Sequence, residues 1–152
     1  SGIAPVPKML AAGMKVGLAV DGSASNDASN MIREARQAML LSRVKYGAEA
    51  MPARKALGLA TVGGAQVMGW EREVGSIEPG KCADLSLWDI STLEFAGAAD
   101  PVAALLHCAA QYADLVMVNG EILVRGGELV RSGLYRYIPR QREIARRLVG
   151  KA

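Results

Sequence analysis

The first candidate for chemistry in this chain is a carboxylate. Asp21 closes the run Lys15-Val16-Gly17-Leu18-Ala19-Val20, in which Val16, Leu18 and Val20 alternate with Gly17 and Ala19. Every residue of 16–20 is apolar or tiny, the pattern of a short strand buried on both faces in a parallel sheet. Next come Gly22-Ser23-Ala24-Ser25-Asn26-Asp27, and a helical pattern takes over from Ala28. Barrel and open α/β folds carry their active sites at the C-terminal ends of such strands, which makes Asp21 a candidate functional carboxylate. It also fits an Asp-Gly turn in which the side chain accepts from loop amides. Spacing alone leaves both roles open. The other reactive side chains are sparse. His107 is the single histidine, and Cys82 and Cys108 lack the C-x-x-C spacing of a metal or redox pair. They read as buried, reduced thiols.

The elements around Asp21 follow from periodicity and punctuation. Pro5, Val6, Met9 and Leu10 predict a short helix closing at Gly13, and this helix leads straight into 16–20 as an α/β unit. After the loop, Asp27 or Asn26 is the expected cap of a helix over about 28–46. Met31, Ile32, Ala35, Ala38 and Met39 form its apolar face, and Gly47 stops it. Its methionines read as core filling rather than a ligand surface. Pro52 opens a second helix to about Leu59, and Thr61 or the Gly63-Gly64 pair separates a third over about 65–69.

The character changes near Trp70. Gly75–Gly80 is rich in turn residues, 83–89 reads as a strand, and Asp100-Pro101 is a helix start with Asp as cap and Pro at the first position. The runs 115–118 and 122–124 are joined by Asn119-Gly120, the strongest short-range hairpin signal, because both central residues of a type I′ turn need φ > 0. A further turn at Gly126-Gly127 leads to Leu129-Val130. The expected organisation is therefore 1–70 as a strand with its helices, and 71–152 as a small β-rich domain with one inserted helix and a C-terminal helix.

Composition bounds the classes. Of 152 residues 51% are hydrophobic and 22% charged, with one Phe, so a sizeable core must be built of Leu, Val, Ile, Met and Ala. No apolar run reaches the ~18–20 residues that span a bilayer, and no leader pattern opens the chain, so a cytoplasmic location and no membrane partner are expected. The net charge of +3 is a property of the tail. Residues 131–152 hold seven basic side chains against Glu143 alone, whereas 1–130 carry eleven basic and fourteen acidic ones. Without aromatic interleaving or a nucleic-acid motif, the tail reads as a helix with a solvated basic face, and no nucleic-acid partner is expected.

Several motifs, in order, resemble one family. Ser-Gly-Ile-Ala-Pro-Val (1–6), Val-Gly-Leu-Ala-Val-Asp-Gly-Ser-Ala-Ser-Asn (16–26), Ala-Thr-Val-Gly-Gly-Ala (60–65) and Gly-Ser-Ile-Glu-Pro-Gly-Lys-Cys-Ala-Asp-Leu (75–85) look like the C-terminal third of the amidohydrolase superfamily. Asp100-Pro-Val-Ala-Ala-Leu and Val118-Asn-Gly-Glu fit the same pattern. The nearest group is the chlorohydrolase and s-triazine hydrolase type of aminohydrolase, with the loop 22–27 most similar to 8-oxoguanine deaminases and hydroxyatrazine hydrolase-like enzymes.

The resemblance implies a fold class of α/β, namely the C-terminal part of a (β/α)₈ TIM barrel plus a small β-sandwich-like domain. Residues 15–20 would match the eighth barrel strand. Asp21 would match a carboxylate that binds a divalent metal, zinc or iron, and shuttles protons while a purine- or triazine-like ring is hydrolytically deaminated. Ser23, Ser25 and Asn26 would lie on the loop beside the substrate, or serve only as loop hydrogen-bonding groups. Such a site also needs a His-x-His pair and further histidines, and one histidine plus Asp21 falls short of the three or four ligands of a catalytic zinc. His107 is expected to be structural. The expectation is therefore a piece of a longer enzyme, inactive alone and prone to homo-oligomerise. The alternative is a non-catalytic remnant that buries the edge 16–20 against its own copy.

Overall fold

The computed structural model of the chain describes residues 2–108, 112–131 and 133–150. Four helices come first: α1 (Val6–Ala11), α2 (Met31–Tyr46), α3 (Ala53–Leu59) and α4 (Val62–Met68). Strand β1 (Leu85–Leu87), helix α5 (Pro101–His107), strands β2 (Leu115–Val118), β3 (Glu121–Arg125) and β4 (Glu128–Leu129), and helix α6 (Tyr137–Leu148) follow. The molecule is mixed helix and sheet.

The core lies among the helices. Ala35 and Met39 of α2 meet Ala53, Ala56 and Leu59 of α3, Met51 before it, and Leu106 of α5, with Val6, Leu10, Val16 and Leu18 packed against them. Small residues on α2 and α3 let the helices approach, and Met39 and Met51 fill the gaps, both completely buried. Helix α5, expected as an insert of a small β domain, belongs by packing to this helical layer. Arg36 of α2 fixes it there, its Nη1 donating to the carbonyls of Leu106 at 2.7 Å and His107 at 2.8 Å. These are the orphan carbonyls at a helix end.

Three local expectations change. The cap of α2 is Asn30, which accepts from the Arg33 amide at 3.1 Å, and neither Asn26 nor Asp27. Ser29 has φ 43°, which breaks helical continuity before Asn30, and the Asn26 side chain is already engaged elsewhere. Gly63 and Gly64 do not separate helices but lie inside α4, with Thr61 as its start. The reason is a backbone crossing: a Cβ on Gly63 would stand 2.4 Å from the Val16 carbonyl oxygen, and one on Gly17 would stand 2.8 Å from Gly64 Cα. The cysteines are free as expected, yet Cys82 is exposed and Cys108 half-buried rather than core thiols.

The segment 16–20 is neither helix nor turn and carries no sheet ladder among the described residues. It is seated on the helices by the Leu18 amide, which donates to the Leu59 carbonyl at 3.1 Å. Val16 and Leu18 are half-buried and Ala19 is exposed, so burial on both faces is not realised. A strand of this kind needs neighbouring strands on each side, and the sheet of this chain lies elsewhere.

That sheet is a single antiparallel one in the order β1-β2-β3-β4, with Leu85 opposite Met117 and Val116 opposite Val124. The hairpin turns at Asn119 (φ 48°) and Gly120 (φ 81°), as its two residues predict. Its tip is tied across the chain: Asp84 Oδ1 accepts from the Asn119 amide at 2.6 Å, and the Gly120 amide donates to the Ala83 carbonyl at 3.2 Å. The turn-rich stretch before β1 is knotted by Lys81. Its Nζ donates to the Glu71 carbonyl at 2.7 Å and to Ser76 Oγ at 2.6 Å, and pairs with Glu78 at 3.3 Å.

Candidate functional site

The segment 16–20 delivers Asp21 to the surface of the helical layer, where the chain breaks into its loop. Asp21 has φ 62°, a left-handed conformation that Asp tolerates better than most residues because its short side chain bonds locally. Those local bonds are present. The Gly22 amide donates to Asp21 Oδ1 at 2.8 Å, and the Ser25 hydroxyl donates to Oδ2 at 2.7 Å. The loop closes as a turn, with the amides of Ser25 and Asn26 both donating to the Gly22 carbonyl at 3.0 Å. The turn role is present: Asp21 anchors its own turn, and its carboxylate stays exposed.

The Ser25 hydroxyl, and after it the Gly22 amide, hold the Asp21 carboxyl below the usual carboxylate range, because both donate to the charged form. Asp21 is thus ionised at neutral pH and able to accept a proton. Asn26 donates from Nδ2 to Glu34 Oε1 at 2.5 Å and accepts from the Ala28 amide at 3.0 Å, so it ties the loop to α2. Ser23 is exposed on the turn. Of the three loop residues, only Ser25 touches Asp21 directly, a distinction that the Ser-Ala-Ser-Asn spacing could have raised only through the capping habit of a hydroxyl at a turn.

His107 stands exposed at the end of α5, where its carbonyl receives Arg36. Among the described residues no three side chains of His, Cys, Asp or Glu are grouped so as to hold a metal ion. Asp21, with both oxygens already accepting from its own loop, does not by itself fit a zinc ion, which takes three or four protein ligands. No described helix is long and apolar enough to cross a membrane.

The chain as a whole is similar to known proteins. The profile of the Amidohydrolase family matches residues 1–123. An 8-oxoguanine deaminase of Pseudomonas aeruginosa is 50% identical over 149 residues, which is 98% of this chain and 33% of the relative. A crystal structure of an adenosine deaminase from Xanthomonas campestris with bound zinc superposes with a TM-score of 0.92 at 31% identity, covering 99% of this chain and 35% of that one. An atrazine chlorohydrolase from Arthrobacter aurescens, complexed with zinc, superposes at 0.86 with 33% identity, covering 94% of this chain and 32% of that one. The chain thus spans about a third of the length of the proteins it matches.

Proposed function

Because the chain belongs to the amidohydrolase family, we propose that it is the C-terminal portion of a metal-dependent aminohydrolase that deaminates a purine- or triazine-like ring, with 8-oxoguanine the leading substrate. The exposed, ionised Asp21 at the end of 15–20 carries this reading, and the 50% identity to an 8-oxoguanine deaminase supports the choice of ring. Residues 15–20 act as the last strand of a (β/α)₈ barrel, and the sheet β1–β4 is one layer of a composite, sandwich-like domain. Residues 1–70, with α5 packed on them, and the remainder of 71–152 are the corresponding parts of the chain.

Hydrolytic deamination adds a water oxygen to the ring carbon and expels its amino group as ammonia. Asp21 accepts the proton of the attacking water and passes it to the departing nitrogen, a general base and then a general acid. The Ser25 and Gly22 bonds keep the carboxyl ionised before that step and fix its direction. Ser23, with Ser25 and Asn26, forms the edge along which the ring lies. A divalent metal, zinc rather than iron, would belong to the assembled enzyme in the cytoplasm; Asp21 would be one of its ligands, the others coming from outside this chain, and the metal would lower the pKa of the attacking water.

The test is a chimera. The first two thirds of the Pseudomonas 8-oxoguanine deaminase are joined to this chain, and ammonia release from 8-oxoguanine is followed with zinc present. The chimera turns over, Asp21→Asn lowers its kcat at least a hundredfold, as loss of a general base does, and the 152-residue chain alone gives none. A folded chimera that is inert, or one indifferent to Asp21→Asn, overturns the reading.

A further inference from the structure

Glu34 is a carboxylate that neither spacing nor motif marks for chemistry. It stands in the first turn of α2, half-buried, next to the completely buried Ala35. That helix is seated in the core by Ala35 and Met39. Glu34 Oε1 accepts from Asn26 Nδ2 at 2.5 Å, eight residues back along the chain. A carboxylate acceptor makes this a charge-assisted bond, shorter and stronger than one between neutral groups.

From Asn26 the bonds of the loop lead to Asp21. The amides of Asn26 and Ser25 both donate to the Gly22 carbonyl at 3.0 Å. Ser25 Oγ reaches that carbonyl at 3.1 Å and Asp21 Oδ2 at 2.7 Å, and the Gly22 amide closes on Asp21 Oδ1 at 2.8 Å. Asn26 is therefore where the turn around Asp21 meets the helix. Its side chain is engaged at both ends, Nδ2 with Glu34 and Oδ1 with the Ala28 amide. On the other side of Asp21 the chain is pinned by the Leu18 amide on the Leu59 carbonyl. Left-handed backbone at Asp21 (φ 62°) and Ser29 (φ 43°) flanks the loop, and such conformations persist where the surroundings hold them.

We propose that Glu34 is a positioning residue: through Asn26 it latches the 21–26 turn to α2 and so fixes where the Asp21 carboxylate stands. Its consequence for turnover rests on the deaminase reading, whereas the latch rests on the hydrogen bonds alone. The bonds from Ser25 and Gly22 belong to the same small turn as Asp21. They set the direction of the carboxylate within the turn, not the place of the turn on the molecule. The latch sets the place. A general base must lie within hydrogen-bond reach of the water it deprotonates, and a displacement of about 1 Å can cost about a hundredfold in rate. Asn26 thus serves the edge of the site through its backbone, and its side chain through Glu34.

Two measurements test it, the first on the 152-residue chain without turnover. In hydrogen exchange followed by NMR, Glu34→Ala and Asn26→Asp each speed the Ser25 and Asn26 amides about tenfold or more, as loss of a bond to a charged group does. The Leu18 amide keeps its rate. Asn26→Asp sets two carboxylates against each other, and adding Glu34→Gln restores the bond with donor and acceptor exchanged, so the parent rates return. The second measurement uses the chimera with the Pseudomonas deaminase. Glu34→Ala lowers its kcat/KM for 8-oxoguanine about ten- to a hundredfold, and Glu34→Gln, which keeps an acceptor, retains most of the activity. Asn26→Asp with Glu34→Gln recovers what Asn26→Asp loses, a rescue that a general loss of stability does not give. Loop amides indifferent to Glu34→Ala, or a reversed pair no better than Asn26→Asp, overturn the latch. Turnover that needs Asp21 yet ignores Glu34→Ala overturns the positioning role. An inert parent chimera overturns the deaminase reading instead, and the exchange rates then decide the latch by themselves.

Discussion

Two aspartates of this chain are used in opposite ways. Asp84, at the entrance to β1, reaches across the sequence to the Asn119 amide and spends its charge on fixing a hairpin. Asp21, at the exit of 15–20, accepts from Gly22 and Ser25 of its own loop. The surroundings differ in the same sense. Before Asp84, Lys81 likewise reaches back to the Glu71 carbonyl. The hydrogen bonds to the Asp21 carboxylate described above come from its own loop, and the carboxylate is pre-oriented yet accessible. A scaffold acid is consumed by long-range bonds. An acid held only by its own loop stays where a neighbour can still approach it.

The comparison can be broken at the level of packing first. Leu106→Ala removes a completely buried side chain at the junction of α2, α3 and α5 and costs about 2–5 kcal/mol in urea denaturation. The same change at Leu87 of β1, 49% exposed, costs under about 1 kcal/mol. Equal losses would mean that the sheet, not the helical layer, carries the stability under Asp21. Gly63→Ala comes next. Alanine ordinarily gains about 1 kcal/mol over glycine inside a helix, but here the new Cβ meets the Val16 carbonyl, so the chain is destabilised by about 1–3 kcal/mol. A stabilised variant would mean that 15–20 is not clamped by α4, and Asp21 would lose its support.

What was legible in the sequence follows the range of the interactions. Asn119-Gly120, Asp100-Pro101, Pro52 and Gly47 specify their structures through one residue's own φ or cap, and each appears where its chemistry places it. The position of Asp21 was equally legible, because an apolar run that ends on Asp-Gly marks its own boundary. Apart from the cap of α2, which the local φ of Ser29 moves to Asn30, the differences are tertiary. Gly63-Gly64 reads as a break by propensity, yet the pair sits in a helix because another backbone crosses it. The run 16–20 reads as a buried strand, yet a ladder requires partners that its own residues cannot encode. Ser25 and Ser23 are indistinguishable as letters, and only the closed turn selects Ser25 as the partner of Asp21.

Asp84→Ala probes the long-range member of the pair. It frees the Asn119 amide, which then exchanges with solvent faster than in the parent chain, while amides of the 21–27 loop keep their rates. Hydrogen exchange followed by NMR checks both halves, and a change confined to the loop would reverse the assignment of roles.

The smallest expected effect is the most specific. Ser25→Ala deletes the largest cause of the lowered Asp21 pKa and leaves the Gly22 amide in place, so the carboxyl titrates higher but still below an ordinary aspartate. In the parent chain the folded state holds Asp21 below its unfolded value. The stabilisation from these bonds is therefore present above the ordinary aspartate pKa, about 4, and is lost as pH falls through the lower, folded value. In Ser25→Ala that loss sets in at higher pH and is smaller in extent. The ¹³C shift of the Asp21 carboxyl against pH reads the difference directly. Ser25→Thr restores the parent curve because the hydroxyl is retained, and Asp84→Ala leaves it unmoved. A Ser25→Ala curve that overlays the parent would show that the hydroxyl does not hold the carboxylate, and the contrast between a locally held acid and a scaffold acid would then rest on Gly22 alone.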